Sequence, residues 1–275
     1  MDIKYDKIGT GYNSTRQADP YLAERLLYHL RPKTDRLYLD IGCGTGNYTI
    51  TFADKDFKFI GVEPSEKMLN EARSRNQDIN WLQGTAEQIP ADDKMFDGII
   101  ATLTIHHWTD LKKAFVEIDR VLSANGRFVL FTSTPEQMKG YWLNHYFPKM
   151  LHSSIVQMPS LVDIQEAIEQ TELEITGIEK YFIKDDLQDC FLYVGKNNPT
   201  RYFDEAIRNG ISSFSSLANM DEVKQGLSKL RNDIDDQAFD KIKGQYINEL
   251  GDYLFITITK KTTYSSGNSV IDNVI

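Results

Sequence analysis

The sequence predicts an α/β fold, a mostly parallel sheet wrapped by helices, and three observations carry that expectation. Leu37–Ile41 is a short apolar run that leads into glycines at alternating positions, Gly42, Gly44 and Gly46. From Leu37 to Phe131 such runs alternate with polar, helix-compatible stretches, the rhythm of repeated strand–helix–strand units. Most of the runs show little polar alternation, which marks strands buried on both faces.

The expected strands are 37–41, 57–62, 79–83, 96–102 and 126–131. Helices are expected over 48–53, 65–75 and 110–121, with Asp110 as a plausible N-cap of the last. After Phe131 the rhythm changes. Residues 134–170 read as aromatic-rich helices, 173–183 alternates like a strand, 185–249 reads as mostly helical, and 253–259 as a closing strand. The chain thus divides into an N-terminal helical lid segment (1–35), a ligand-binding core (36–134) and a helical cap (135–172). The final strands and their helical insertion occupy 173–261, and the polar stretch 262–275 is expected to be disordered.

At 275 residues the chain is one large domain or a domain with a sizeable insertion. Its 41% hydrophobic and 26% charged residues describe a soluble globular protein. No run approaches the roughly 18 apolar residues that span a bilayer. The N-terminus lacks the basic start and apolar core of a signal peptide, so the cytoplasm is the expected location and no membrane the expected partner. Two cysteines, Cys43 and Cys190, are too few for a disulfide framework or a cysteine-rich metal site, and no metal is expected. A net charge of -9 counts against broad binding of nucleic-acid phosphates.

A glycine turn at a strand end lets a ligand approach the bare backbone. Strand, glycine turn and helix together form the first half of a nucleotide-binding unit. Glu63 ends the second strand about 20 residues further on, where a carboxylate can accept both hydroxyls of a ribose. Its competing role is to cap the helix that starts near Ser65. The loop Gly84–Pro90 offers polar side chains and amides suited to the edge of an adenine. The fourth strand leads to Thr104-Ile105-His106-His107-Trp108. Asp40, Glu63, Thr85 and His106 all fall at or just past strand carboxyl ends, where open α/β sheets bind ligands.

On these motifs, residues 36–131 resemble the class I S-adenosylmethionine-dependent methyltransferases of the small-molecule type. Asp40-Ile41-Gly42-Cys43-Gly44-Thr45-Gly46 is similar to that family's first motif, and Glu63 to its ribose-binding acid. Gly84-Thr85-Ala86-Glu87 is similar to its adenine loop and Phe96-Asp97-Gly98-Ile99-Ile100 to its fourth strand. The resemblance implies a Rossmann-like seven-stranded, mostly parallel sheet whose last strand is antiparallel, with an inserted helical substrate-binding lid. It implies S-adenosylmethionine as cofactor, held by Asp40, Gly42, Cys43, Gly44 and Gly46 of the turn. Glu63, Pro64, Met68 and Thr102 are further implied contacts, with Thr85, Ala86 and Glu87 at the adenine. Many members carry Asp where Thr85 stands, which leaves that contact open between Thr85, Glu87 and the Ala86 amide. The segment Tyr5–Arg16 is similar to the family's leading segment, which folds over the cofactor. There Tyr12 would close the pocket, and Arg16 would pair with the cofactor carboxylate or remain a solvated surface side chain.

Methyl transfer from a sulfonium asks the protein mostly for geometry and exclusion of water. His106 or His107 can take a proton from the acceptor, cap the next helix or pack beside Trp108. Adjacent strand-end residues point opposite ways, so only one of the two is expected to face the pocket. Trp108 is expected to wall off the site. Tyr141, Trp142, Tyr146, Phe191, Tyr193 and Phe203 are expected to line a pocket for an apolar or planar small molecule, with core packing as the competing role of each. The expected function is methyl transfer to a small-molecule acceptor, and the helical lid hints at secondary metabolism. The rivals are a non-catalytic cofactor-binding scaffold and a nicotinamide-dependent oxidoreductase. Against the latter, Asn47 stands where the third glycine of G-x-G-x-x-G would fall.

Overall fold

A computed structural model describes residues 15–262 and arranges seven strands in one sheet. The strands are β1 (Leu37–Ile41), β2 (Lys58–Glu63), β3 (Asn80–Gln83), β4 (Phe96–Thr102), β5 (Leu122–Thr132), β6 (Leu173–Tyr181) and β7 (Tyr253–Lys260). Their order is β3-β2-β1-β4-β5-β7-β6. β7 alone runs antiparallel, paired with β5 on one side and β6 on the other. β1 is flanked by β2 and β4, both parallel to it, so the strand order reverses between β1 and β4. Such a switch point opens a crevice beyond the carboxyl ends of the two strands.

Helices cover both faces because β1, β2 and β4 are apolar on both. On one face lie α1 (Pro20–Leu30) and α2 (Asn47–Ala53); on the other, α4 (Leu111–Val121). α3 (Glu66–Arg75) flanks β3. α1 starts where Asp19 Oδ1 accepts the Leu22 N–H at 2.9 Å, and it turns Leu22, Ala23, Leu26 and Leu30 inward. Ser65 and Asp110 cap α3 and α4 by accepting the N–H groups of Met68 and Lys113. α1 is tied to the distal strands as well, since Glu179 of β6 accepts from Arg25 and lies 3.1 Å from His29 Nε2.

Beyond β5 come α5 (Pro135–Lys139), α6 (Leu143–Tyr146), α7 (Pro148–Gln157) and α8 (Leu161–Ile168), then after β6 α9 (Glu205–Asn209), α10 (Met220–Asp235) and α11 (Phe239–Lys243). Two expectations change here. α8 is no part of a cap: its Ile164, Ala167 and Ile168 are buried with Phe115 and Ile118 of α4 on the sheet face. The stretch expected as mostly helical from 185 is turns and bends as far as Asn198, because its polar groups bond outside a helical ladder: the Gln188 N–H donates to Asp19, and Asn197 donates to Asp185 and to the Ile183 carbonyl. β5 also begins four residues before the expected strand, with Leu122 paired to Phe96 ahead of a register shift.

The aromatic residues expected to line an acceptor pocket mostly form the core of the cap. Trp142 is 0% exposed, and its indole N–H donates to the Lys196 carbonyl at 3.0 Å. Tyr141 stacks on Tyr193 with centroids 3.9 Å apart, Tyr146 meets Trp142 edge-on, and Phe203 is half-buried beneath Arg231. Large rings fill the joint between cap and sheet because only they supply enough apolar area per residue there. Trp142→Ala is expected to lower the unfolding free energy by about 3–5 kcal/mol. Urea titration checks this, and a loss below about 1 kcal/mol would contradict the packing role.

Candidate active site

The crevice at the switch point is a cavity of about 1250 Å³, open mouth included. Its inner end is built by the turn after β1. Gly42, Gly44 and Gly46 all have positive φ, at 69°, 57° and 81°. Their requirements differ. A Cβ on Gly42 would strike the Thr104 side chain at 2.2 Å, and one on Gly46 the Trp81 ring at 2.4 Å. A Cβ on Gly44 would meet only Met68 Sδ, at 3.8 Å, so Gly44 alone presents open backbone to the cavity.

Glu63 closes this end from β2. Its Oε2 accepts the Gly44 N–H at 3.1 Å and its Oε1 the Ser65 N–H at 3.0 Å. Both roles weighed from the sequence thus converge on one side chain, which caps toward Ser65 while facing the cavity. Burial pushes its carboxyl pKa up, and the two N–H bonds pull against that shift. Asp40, at the end of β1, accepts the Thr49 hydroxyl at 2.6 Å. Burial raises its pKa to about 7, with the Thr49 bond opposing and Glu63 adding to the rise.

The mouth is held by a chain of polar contacts. Arg75 donates to the Thr45 carbonyl and to Asn47 Oδ1 at 2.8 and 2.6 Å, and Asn47 Nδ2 donates to the Arg16 carbonyl at 2.8 Å. Arg16 Nε in turn meets Asp189 Oδ1 at 2.5 Å, and the Tyr48 hydroxyl donates to Asp189 Oδ2 at 3.3 Å. Arg16 is therefore ion-paired at the cavity rather than solvated. Tyr12 lies outside the described residues.

Of the residues expected to contact the cofactor, Arg16, Asp40, Gly42, Cys43, Gly44, Glu63, Met68 and Thr102 line the cavity. Gly46, Pro64, Thr85, Ala86 and Glu87 do not. Gly46 faces Trp81, and Pro64 gives its carbonyl to Gln83 Nε2. Ala86 is buried in the sheet core and Thr85 closes a tight turn with Gln88. Glu87 is engaged elsewhere, accepting from the Thr109 N–H and hydroxyl and from the Asp110 N–H at the entry to α4.

His106 and His107 both line the cavity, with ring centroids 3.9 Å apart. Only one was expected to. They sit on a single helical turn, Ile105–His107, and not on a strand, so strict side-to-side alternation does not apply. Trp108 leaves that turn in extended conformation and packs edge-on against Phe115, away from the cavity. Phe191 is the one expected acceptor-pocket aromatic that lines it. Sequence reasoning missed Ser133, Tyr253 and Asp189. The strand-end rule reaches the first two, since Ser133 follows β5 and Tyr253 opens the antiparallel β7 at the same sheet edge. Asp189 has no local signal.

The sequence profile described as a methyltransferase domain matches residues 39–130. A solved structure from Anabaena variabilis, described as a methyltransferase from an antibiotic biosynthesis pathway, is 31% identical. It superposes with a TM-score of 0.80 over 89% of this chain and 99% of its own. The uncharacterised methyltransferase YcgJ of Bacillus subtilis is 31% identical over 156 residues, 54% of this chain and 61% of that protein, so the match spans less than two thirds of that relative. Geranyl diphosphate C-methyltransferase of Streptomyces coelicolor, solved with Mg2+, geranyl diphosphate and S-adenosylhomocysteine, shares the fold at 15% identity and a TM-score of 0.52, covering 88% of this chain and 80% of its own. The chain belongs to the class I S-adenosylmethionine-dependent methyltransferases, and S-adenosylmethionine is its cofactor.

The residues present fit that cofactor. Gly44 leaves room for a ligand against its backbone, and Thr102 Oγ1 is buried at the cavity wall with no hydrogen-bond partner among the described residues. Among the described residues no cluster of histidine, cysteine or carboxylate side chains could hold a metal, and no helix is long and apolar enough to cross a membrane.

Asp40 links the site to pH. Its folded pKa of about 7 lies above the ordinary 3.8, so the folded chain holds this proton more tightly than the unfolded one. The stability it contributes is present below pH 3.8 and is lost as pH rises through about 7. The ligand-free wild type is therefore expected to lose stability relative to Asp40→Asn across that window. Denaturant titrations at several pH values check this, and parallel profiles for the two proteins would contradict it.

Proposed function

We propose that this protein transfers the methyl group of S-adenosylmethionine to a small-molecule acceptor. The observation that carries the reading is a single cleft lined by the Gly44 and Glu63 cradle, by His106 and His107, and by residues from beyond Thr132. Bound in the cradle, the cofactor supplies a methyl group activated by its sulfonium.

The chain's own groups supply the rest. Glu63 has lone pairs beyond those used by Gly44 and Ser65, and these receive the ribose hydroxyls. Arg16 takes the carboxylate of the amino-acid end. Asp40, buried with the Thr49 hydroxyl as its partner, takes its ammonium beside the Arg16-paired Asp189. The cap excludes water and holds the acceptor atom in line. His106 and His107 line the same cleft, and an imidazole there can take the proton leaving an O–H or N–H acceptor. The likeness over 99% of the Anabaena variabilis protein supports secondary metabolism as the setting. The two free cysteines fit a reducing, cytoplasmic compartment.

Calorimetric titration with S-adenosylhomocysteine tests the cradle. Glu63→Ala is expected to weaken binding by roughly 1.5–3 kcal/mol through lost charge-assisted bonds, and an unchanged dissociation constant would remove Glu63 from the ribose role. With an acceptor that turns over, alanine at the proton-accepting histidine is expected to lower kcat by roughly 10²-fold or more. Its S-adenosylhomocysteine affinity should stay as in wild type. Undiminished kcat in both His106→Ala and His107→Ala would exclude imidazole from the proton transfer.

A further inference from the structure

The charged groups that line the cleft are few. Among the described residues they are Arg16, Asp40, Glu63 and Asp189, and Arg16 and Asp189 are paired with each other at the mouth. The rest of the described lining holds no Asp, Glu, Lys or Arg. Its apolar wall comes from Met138, Met158, Phe191, Leu192, Ile211 and Leu217. Its polar wall is hydroxyl and amide only, including Ser154 and Gln157 of α7 and Ser212 and Ser213 beside the cleft. An anionic acceptor enclosed here would lose its water with no cation to replace it, since Arg16 is already held by Asp189. A cationic acceptor would lack a carboxylate in the same way.

The hydroxyl pair defines the polarity further. Ser154 Oγ lies 2.8 Å from Ser213 Oγ and 3.0 Å from the Met150 carbonyl, and both serines are buried. Ser154 is the donor of both bonds, so Ser213 is the acceptor within the pair and keeps its own O–H. Ser213 thus offers a ligand its hydroxyl, with one lone pair left to accept an O–H. The serines also join α7 to the π-helical turn Ser213–Leu217, an irregular helix type often found at functional sites. Met138 and Met158 of the lining adapt to apolar bodies of varied shape.

We propose that the acceptor is an uncharged hydroxylated hydrophobe: a molecule with an apolar, ring-sized body, whose O–H donates to Ser213, and with no phosphate, carboxylate or ammonium group on the enclosed part. The proposal deepens the methyl-transfer reading and rests on it for what fills the cradle.

The test uses the full chain saturated with S-adenosylhomocysteine and three matched sets of probes: phenol, 2-naphthol and 2-hydroxyanthracene, each with its methyl ether and its phosphate ester. Binding is followed by ligand-observed NMR and by fluorescence. At least one neutral hydroxylated probe is expected to bind saturably, its phosphate ester roughly tenfold or more weaker, and its methyl ether several-fold weaker. Ser213→Ala is expected to erase the preference for the alcohol over its ether without changing S-adenosylhomocysteine affinity. Leu217→Lys is expected to remove neutral-probe binding, with thermal unfolding confirming that the variant folds. A phosphate ester that binds as well as its alcohol, or the failure of every neutral probe, overturns the proposal. So does an alcohol preference that survives in Ser213→Ala. Failure of S-adenosylhomocysteine itself to bind the wild type would instead strike the methyl-transfer reading, so the two failures are distinct.

Discussion

A buried carboxylate joined to two backbone N–H groups governs the geometry of this molecule. Glu63 reaches from the end of β2 to Gly44 in the turn after β1 and to Ser65 at the start of α3. A carboxylate at 4% exposure requires such partners, because burial without them drives it to bind a proton. The bonds fix the spacing of two strand-end loops. Thr104 and Trp81 press on the turn at Gly42 and Gly46, which leaves Gly44 as the point where a ligand can meet bare backbone.

From that fixed point the cleft divides by origin in the sequence. The cradle comes mainly from the strand ends and loops of the repeating α/β core. Two outlying groups complete it, Arg16 from before the first helix and Asp189 from the segment after β6. Their ion pair joins the start of the described chain to the segment after β6 at the cavity mouth. The rest of the lining, by contrast, is built mostly after Thr132, from α5, α7 and the segment between β6 and β7. Donor chemistry can thus be retained while the acceptor wall varies, since the two are carried by different stretches of chain.

Most of the fold was legible because the strands of a doubly covered sheet are continuous apolar runs, and caps such as Ser65 and Asp110 announce helix starts. The cradle was legible for a related reason: strand ends in a parallel sheet converge, so Asp40, Glu63 and Thr102 share an edge although they are far apart in sequence. The acceptor wall was not. Trp142 and Tyr141 look like pocket residues by type, but whether a ring faces a cavity or a core depends on tertiary packing that no local pattern encodes. Glu87 stands outside the lining because a carboxylate suited to an adenine edge is equally suited to the N–H groups of Thr109 and Asp110. The two histidines were expected to diverge by a strand rule, and they share the cavity because the chain had already turned helical at Ile105.

The most direct test of the account is the electron density of a crystal soaked with S-adenosylhomocysteine. The account predicts the ribose hydroxyls on Glu63, the ligand backbone-to-backbone with Gly44, and the amino-acid end between Arg16 and Asp189. Density for the ligand elsewhere, or a cradle that refuses it, would contradict the assignment.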